Sequence, residues 1–304
     1  MSDGLDRFAC YELCVQSPRH VSAFLRGVHG NKPVVLREDF CGTAALSQRW
    51  LEDAARLGEA ASAIAIDLDP EAIDRARKAA SHAPSPREGA AGWVGSSSRS
   101  SLSPSLQLLC ADSTKPSNPD PGCDVIFVGN FSIGYLHTRR ELVEYLQLSR
   151  SRLDRGNAGF GGGVFVCDTY GGASAFQLGS LTRKHPSRAR EIIHYHWQHE
   201  DADPLTAMVT NSISFRVEID GEIVQEMPRA FVYRWRLWSI AELRDAMTEA
   251  GFVFTEVYAD CNLAPGQTPS PVAPGELKDD WIVLVTGRTS EPPPRESLPE
   301  HLIP

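Results

Sequence analysis

The chain has 304 residues, 42 % of them hydrophobic and 23 % charged, which excludes a disordered or fibrous protein and allows a sizeable core. Its net charge of −9 argues against a broad electrostatic footprint on nucleic acid. No apolar run approaches the ~20 residues that span a bilayer, and the N-terminus "MSDGLDRFAC" has no apolar signal core, so a cytoplasmic protein without membrane or nucleic-acid partners is expected; the oligomeric state is left open.

Taken in chain order, residues 1–30 read as a helical cover, with Tyr11 either bordering a site or packed in the core. Short apolar runs then alternate with helical patterns. The runs are Pro33–Leu36, Ala63–Ile66, Leu106–Leu109, Val125–Val128 and Gly163–Val166, each nearly continuous as strands covered on both faces are. Asp69-Pro70 reads as an N-cap with Pro at the first helical position, and Thr138 with Glu141 as a capping box. Strand and helix in alternation predict an α/β fold with a parallel sheet. Residues 81–105, rich in Ser, Pro and Gly, interrupt the pattern as an expected flexible insertion. Residues 190–238 alternate polar and apolar, and Asp220-Gly221 is a hairpin signal, so an antiparallel β segment is expected after the fifth strand. Ser239 and Glu242 then open a helix closed by Gly251, two last strands follow, and 289–304 reads as a disordered tail of one domain spanning 1–288. The seven scattered cysteines, with no CxxC pair, suit reduced thiols and give a zinc site little support.

Ligands of such sheets bind at the carboxyl ends of the strands. Those ends carry Glu38 to Thr43, Asp67 to Asp69, Asp112-Ser113, Gly129 to Ser132 and Asp168 to Tyr170. The acidic groups would repel a pyrophosphate, and Phe40 and Ala44 stand where a dinucleotide loop would have glycine. A cationic ligand with ribose hydroxyls suits them better. Asp67 lies 25 residues after Gly42, where a ribose carboxylate belongs, and Asp112 could accept from an adenine amine. Asp69 reads as the helix cap and Cys41 as packing.

With these residues in hand, the chain resembles the class I S-adenosylmethionine-dependent methyltransferases of small-molecule type. "VVLREDFCGTA" resembles their first motif, "AIDLDPEAI" the second, "LCADS" the third and "DVIFVGNFSIGYL" the fourth, while "GGVFVCDTY" looks like the fifth strand and "YRWRLWSIAELRDAMTEAGF" like a late strand-and-helix element. The likeness covers roughly residues 33 to 288. It implies a Rossmann-like, mostly parallel sheet of seven strands flanked by helices, with one antiparallel edge strand, and S-adenosyl-L-methionine as cofactor. By position, Glu38 and Gly42, with the Thr43 amide, would hold the methionine end. Asp67 would hold the ribose, Leu68 would pack on adenine, and Asp112 with Ser113 would address its edge. Asn130 and Phe131 would border the reacting methyl group. The side chain of Phe40 departs from the family's glycine and changes how closely the loop approaches the cofactor.

Methyl transfer from a sulfonium needs an aligned nucleophile and exclusion of water, with a base where the nucleophile requires one. Tyr135, His137 and His196 are the candidate catalytic residues; Tyr170, Tyr233 and Trp235 are the candidate acceptor contacts, the last two on an antiparallel lid at 190–238. The cluster "HYHWQHE" is read as surface histidines rather than a metal site. The function expected is methylation of a nitrogen or oxygen of a small molecule. The alternatives are a non-catalytic binder of the same cofactor and an NAD-dependent oxidoreductase.

Overall fold

The computed structural model describes residues 5–30, 32–82, 105–154, 162–187, 190–262 and 268–292. Almost all of the 81–105 insertion, and the tail beyond residue 292, lie outside these.

The helices are α1 (Arg7–Cys14), α2 (Pro18–His29), α3 (Ala45–Leu57), α4 (Pro70–His82), α5 (Arg139–Asp154) and α6 (Ile240–Glu249). The strands are β1 (Val35–Asp39), β2 (Ser62–Asp67), β3 (Ser105–Cys110), β4 (Val125–Val128), β5 (Val164–Gly172), β6 (Gly179–Pro186), β7 (Glu191–Asp203), β8 (Met208–Ile219), β9 (Glu222–Arg236), β10 (Phe254–Tyr258) and β11 (Asp280–Arg288). Seven of them form one sheet in the order β10-β11-β5-β4-β1-β2-β3; β6 to β9 form a second, antiparallel sheet. The chain order reverses between β1 and β4, which both pair in parallel with their neighbours, so a crevice opens at their carboxyl ends.

The local signals explain the elements. Asp69 Oδ1 accepts from the Glu71 amide at 2.9 Å and caps α4. Ser239 and Glu242 exchange both bonds of a capping box on α6, and Thr138 with Glu141 does the same for α5. Trp50 of α3 and Phe24 of α2 pack on one face of the sheet against Val125, Phe127 and Val166; α5 and α6 cover the other through Leu142, Leu146, Leu243 and Met247.

Three expectations need correction. The first strand starts later than Pro33 and runs through the charges, so Arg37, Glu38 and Asp39 are buried strand residues rather than loop residues. The antiparallel strand is β11, and it lies inside the sheet between β5 and β10. Its apolar run Ile282–Val285 suits an interior strand, whereas β10 is half exposed, as an edge strand is. The lid sheet begins at Gly179 rather than 190. Its edge strand β6 is exposed on both faces, so no alternation marks it. Asp220 and Gly221 do form the hairpin, with φ of 52° and 90°.

Candidate functional site

The loop after β1 makes a turn that glycine normally makes. Phe40, Gly42 and Ala44 all have positive φ, at 57°, 54° and 55°. Two of the three carry a Cβ, and each such residue costs about 1–2 kcal/mol in the left-handed region. The surroundings impose the turn. The Cys41 amide bonds the Ile66 carbonyl at 3.0 Å, and the Gly42 amide donates to Asp67 Oδ2 at 2.7 Å. A Cβ built on Gly42 would meet nothing within 4 Å, so the space above the loop is open.

Glu38 is placed differently from its expected role. Its Oε2 accepts from the Ser47 amide at 2.9 Å and the Ser47 hydroxyl at 2.6 Å, on the side of β1 facing α3. Ser47 is the third residue of α3, so a carboxylate from the strand satisfies one of that helix's orphan amides. Burial pushes the Glu38 carboxyl up to about 7 against the pull of the Ser47 bonds. Glu38 lies beneath the loop and off the cavity wall, so its expected contact with a methionine ammonium is not what its side chain is doing. Ser113 is likewise buried and off the wall; its carbonyl accepts from Arg152.

The strand ends do converge on one cavity of about 580 Å³, in the range of small-molecule sites. Phe40, Gly42, Thr43, Asp67, Leu68, Asp112 and Asn130 line it, as does Tyr135. Asp67 Oδ1 also accepts from the Asp69 amide at 2.9 Å, and the Leu68 amide bonds the same carboxylate, so backbone fixes its orientation while it faces the cavity. Burial raises its pKa, and the Asp69 and Gly42 amides oppose that rise. Leu68 projects beside it with 64 % of its surface exposed. Asn130 and Phe131 are left-handed, at 55° and 60°, because the two oxygens of Asp168 accept their amides at 2.9 and 2.6 Å. Burial pushes Asp168 up to about 7.

The lid supplies an aromatic wall. Phe231 and Tyr233 line the cavity, Tyr233 stacks on Trp235 with centroids 4.5 Å apart, and Trp197 stacks on Trp235 at 6.1 Å. Phe131 meets Tyr170 and Trp235 edge-on at 4.8 and 5.7 Å. Trp235, Tyr170 and Phe131 thus stand behind the wall rather than on it. From α1, Phe8 and Tyr11 close the cavity, and Tyr11 shares a hydrogen bond with Tyr233. Arg7 ties this helix to Asp69 at 3.4 Å and Glu71 at 2.5 Å, at the start of α4. Burial raises the pKa of Tyr11 and Tyr233 and pushes Tyr135 up to about 12, so all three hydroxyls stay protonated at neutral pH.

Two catalytic candidates are elsewhere. His196 Nδ1 meets Thr182 Oγ1 at 2.9 Å in a separate groove on the outer face of the lid. Strand alternation puts Tyr195 and Trp197 inward and His194 and His196 outward. His137 Nε2 meets the Arg234 carbonyl at 3.0 Å and is also off the wall. Among the described residues, no group of three His, Cys, Asp or Glu is placed to hold a metal ion, and no helix is long and apolar enough to cross a membrane. Tyr145, Glu144, Lys115 and Phe231 line the cavity without having been singled out in the sequence. For Phe231 the signal was available, two residues before Tyr233 on the same face of β9.

No family model and no curated protein matches the chain. Solved structures do. An S-adenosylmethionine-dependent methyltransferase from Clostridium acetobutylicum superposes with a TM-score of 0.59 at 17 % identity, covering 92 % of this chain and 96 % of that one. The sugar N-methyltransferase KedS8 from Streptoalloteichus gives 0.58 at 13 %, covering 92 % and 91 %. CalS10, an amino pentose methyltransferase from Micromonospora echinaspora, gives 0.57 at 13 %, covering 92 % and 95 %. The fold is therefore the Rossmann-like fold of these methyltransferases, with an antiparallel β insertion.

Proposed function

We propose that the protein is an S-adenosylmethionine-dependent methyltransferase acting on a nitrogen or oxygen of a small-molecule acceptor. One observation carries this reading. The first-motif loop keeps a triple left-handed turn even where Phe40 and Ala44 replace glycine, and it holds Gly42 against Asp67 at the mouth of the cavity. Strain of that kind persists where function uses it.

The residues present fit the cofactor. The Asp67 carboxylate on the cavity wall suits the ribose hydroxyls, exposed Leu68 suits an adenine face, and the open space over Gly42 admits a ligand close to the backbone. Asn130, held by Asp168, lies toward the methionyl end. When bound, the cofactor supplies an electrophilic methyl group on a sulfonium. The chain's own part is to orient the acceptor and exclude water. The aromatic wall, with Phe8 and Tyr11 from α1, closes the cavity over the strand ends, and the tyrosine hydroxyls act there as hydrogen-bond donors. Among the described residues no histidine lines the cavity, which favours an amine that is nucleophilic once neutral over an unactivated alcohol. The sugar N-methyltransferase and amino pentose methyltransferase neighbours support a small polar acceptor of that type.

The test is a product screen with labelled methyl donor against amino sugars, simple amines and matched hydroxyl compounds. Label transfer to an amine supports the reading. Tight S-adenosylhomocysteine binding with no transfer to any acceptor would favour a non-catalytic binder. NAD binding in its place would overturn the cofactor.

A further inference from the structure

Each parallel crossover of the sheet carries a helix except the one from β3 to β4. There, residues 111–124 run without a helix, and a buried ionic cluster fills the space. Arg37 Nε donates to Asp39 Oδ1 at 2.9 Å, and both side chains are fully buried. Arg152, near the end of α5 and also fully buried, donates through Nε to Asp120 at 3.0 Å. Its other two nitrogens reach the crossover itself. Nη1 donates to the Ser113 carbonyl at 3.1 Å and Nη2 to the Lys115 carbonyl at 2.8 Å. Two of the three residues that follow Asp112 are thus held from below by one guanidinium, whose planar fork fixes direction as well as distance.

Above that grip, the same turn presents its polar groups to the cavity. Asp112 Oδ1 accepts from the Thr114 amide at 2.9 Å and the Thr114 hydroxyl at 2.6 Å. Among the described residues no hydrogen bond engages Oδ2, which is left for a donor on a ligand. The cluster also reaches the opposite wall. Tyr145, seven residues before Arg152 on α5, lines the cavity and donates to Asp39 Oδ2 at 2.7 Å, with its ring edge-on to Phe40 at 6.4 Å.

We propose that Arg152 is a positioning residue for purine recognition: from beneath, it sets the Asp112–Lys115 turn so that the Asp112 carboxylate meets the exocyclic amine of an adenine and rejects a purine with a carbonyl there. This rests on the reading that the cavity takes an adenosyl cofactor. A carboxylate accepts from an amine and repels a carbonyl oxygen, so the orientation of this one turn converts into base selectivity. Burial alone does not require the arrangement. A cluster of this kind contributes little net stability compared with apolar packing, whereas its geometry specifies a conformation.

The experiment is calorimetric titration of the full chain with S-adenosylhomocysteine and with S-inosylhomocysteine. The wild-type protein should prefer the adenosyl ligand. Arg152→Lys keeps a buried cation but loses the fork, and should shrink that preference by about fivefold or more, the worth of a hydrogen bond. Thr114→Val, which removes one of the two bonds orienting Asp112 without touching the cluster, should shrink it in the same direction and serves if Arg152→Lys does not fold. Arg288→Lys alters another buried arginine, paired with Glu256 at 3.2 Å on the far side of the sheet, and should leave the preference unchanged. A wild-type preference that survives Arg152→Lys, or that Arg288→Lys reduces equally, overturns the proposal while leaving the cofactor reading intact. So does a wild-type protein that binds both ligands equally. A wild-type protein that binds neither overturns the cofactor reading and the proposal together.

Discussion

In the middle of the seven-stranded sheet β1, β2 and β4 are covered on both faces, so polar groups there reach a ligand from the strand ends, where they are anchored on backbone. Asp67 holds the Gly42 amide, and Asp168 holds those of Asn130 and Phe131. In the lid only one face is covered. β7, β8 and β9 present Trp197, Ile213, Phe231, Tyr233 and Trp235 inward together with the buried Asn211, and His194 and His196 lie on the opposite face. A carboxylate at a strand end is fixed by several bonds and has a role set by position. A lid residue has its role set by parity alone, and one step along the strand moves it out of the site.

That contrast can be broken most severely at the buried side of β1. Asp39→Ala would leave Arg37 and Arg152 without their shared carboxylate, and denaturant unfolding should show a loss of about 3–5 kcal/mol. A loss below ~1 kcal/mol would mean that Asp120 alone sustains the pair.

Glu38 tests the same region through pH. Its carboxyl titrates at about 7 in the folded chain against an ordinary value of 4.5. Between those values the folded protein keeps a proton that the unfolded chain has lost. Its contribution therefore favours folding fully below the ordinary value and is lost as pH rises through about 7. Asp168, also near 7, adds to the same trend. Unfolding free energy should fall as pH rises from 5 to 8, and Glu38→Gln should flatten part of that slope, worth on the order of 3 kcal/mol for one such group. Because Glu38 caps α3 rather than facing the cavity, Glu38→Gln should change S-adenosylhomocysteine affinity less than about threefold. A steep affinity loss would restore the expected ammonium contact.

The lid should give the complementary result. Tyr233→Ala should raise the acceptor KM about tenfold or more while leaving S-adenosylhomocysteine affinity within about threefold, since aromatic contact of this type contributes ~0.5–1.5 kcal/mol beyond its area. Equal losses for both ligands would place the wall against the cofactor instead. His196→Ala, on the outer face, should alter neither activity nor stability by more than ~0.5 kcal/mol.

What was legible in the sequence follows the same line. The strand ends were readable because a parallel sheet buries whole strands and leaves punctuation at their carboxyl ends; Asp67, Asp112 and Asn130 all reach the cavity. Glu38 and the two charges beside it were misplaced because apolar continuity stopped at Leu36, although the strand runs on to Asp39 and buries its charges against Arg152, Tyr145 and Ser47, partners far off in sequence or on the next helix. β6 was missed because an edge strand exposed on both faces has no period. Tyr233 and His196 both stood out as aromatic or titratable residues of the lid. Only the register of β7 against β8 separates inward from outward, and a chain without its pairings does not fix that parity.

The most direct test of the central claim is the affinity of the folded protein for S-adenosylhomocysteine, measured by calorimetry for the wild type and for Asp67→Ala. If Asp67 accepts the ribose hydroxyls, the substitution should weaken binding by about 2 kcal/mol or more, roughly thirtyfold, since hydrogen bonds to a charged group contribute ~1.5–3 kcal/mol each. Wild-type affinity in an Asp67→Ala protein that melts as a folded domain would contradict the assignment of the cavity, and the ribose would then have to be sought at another strand end.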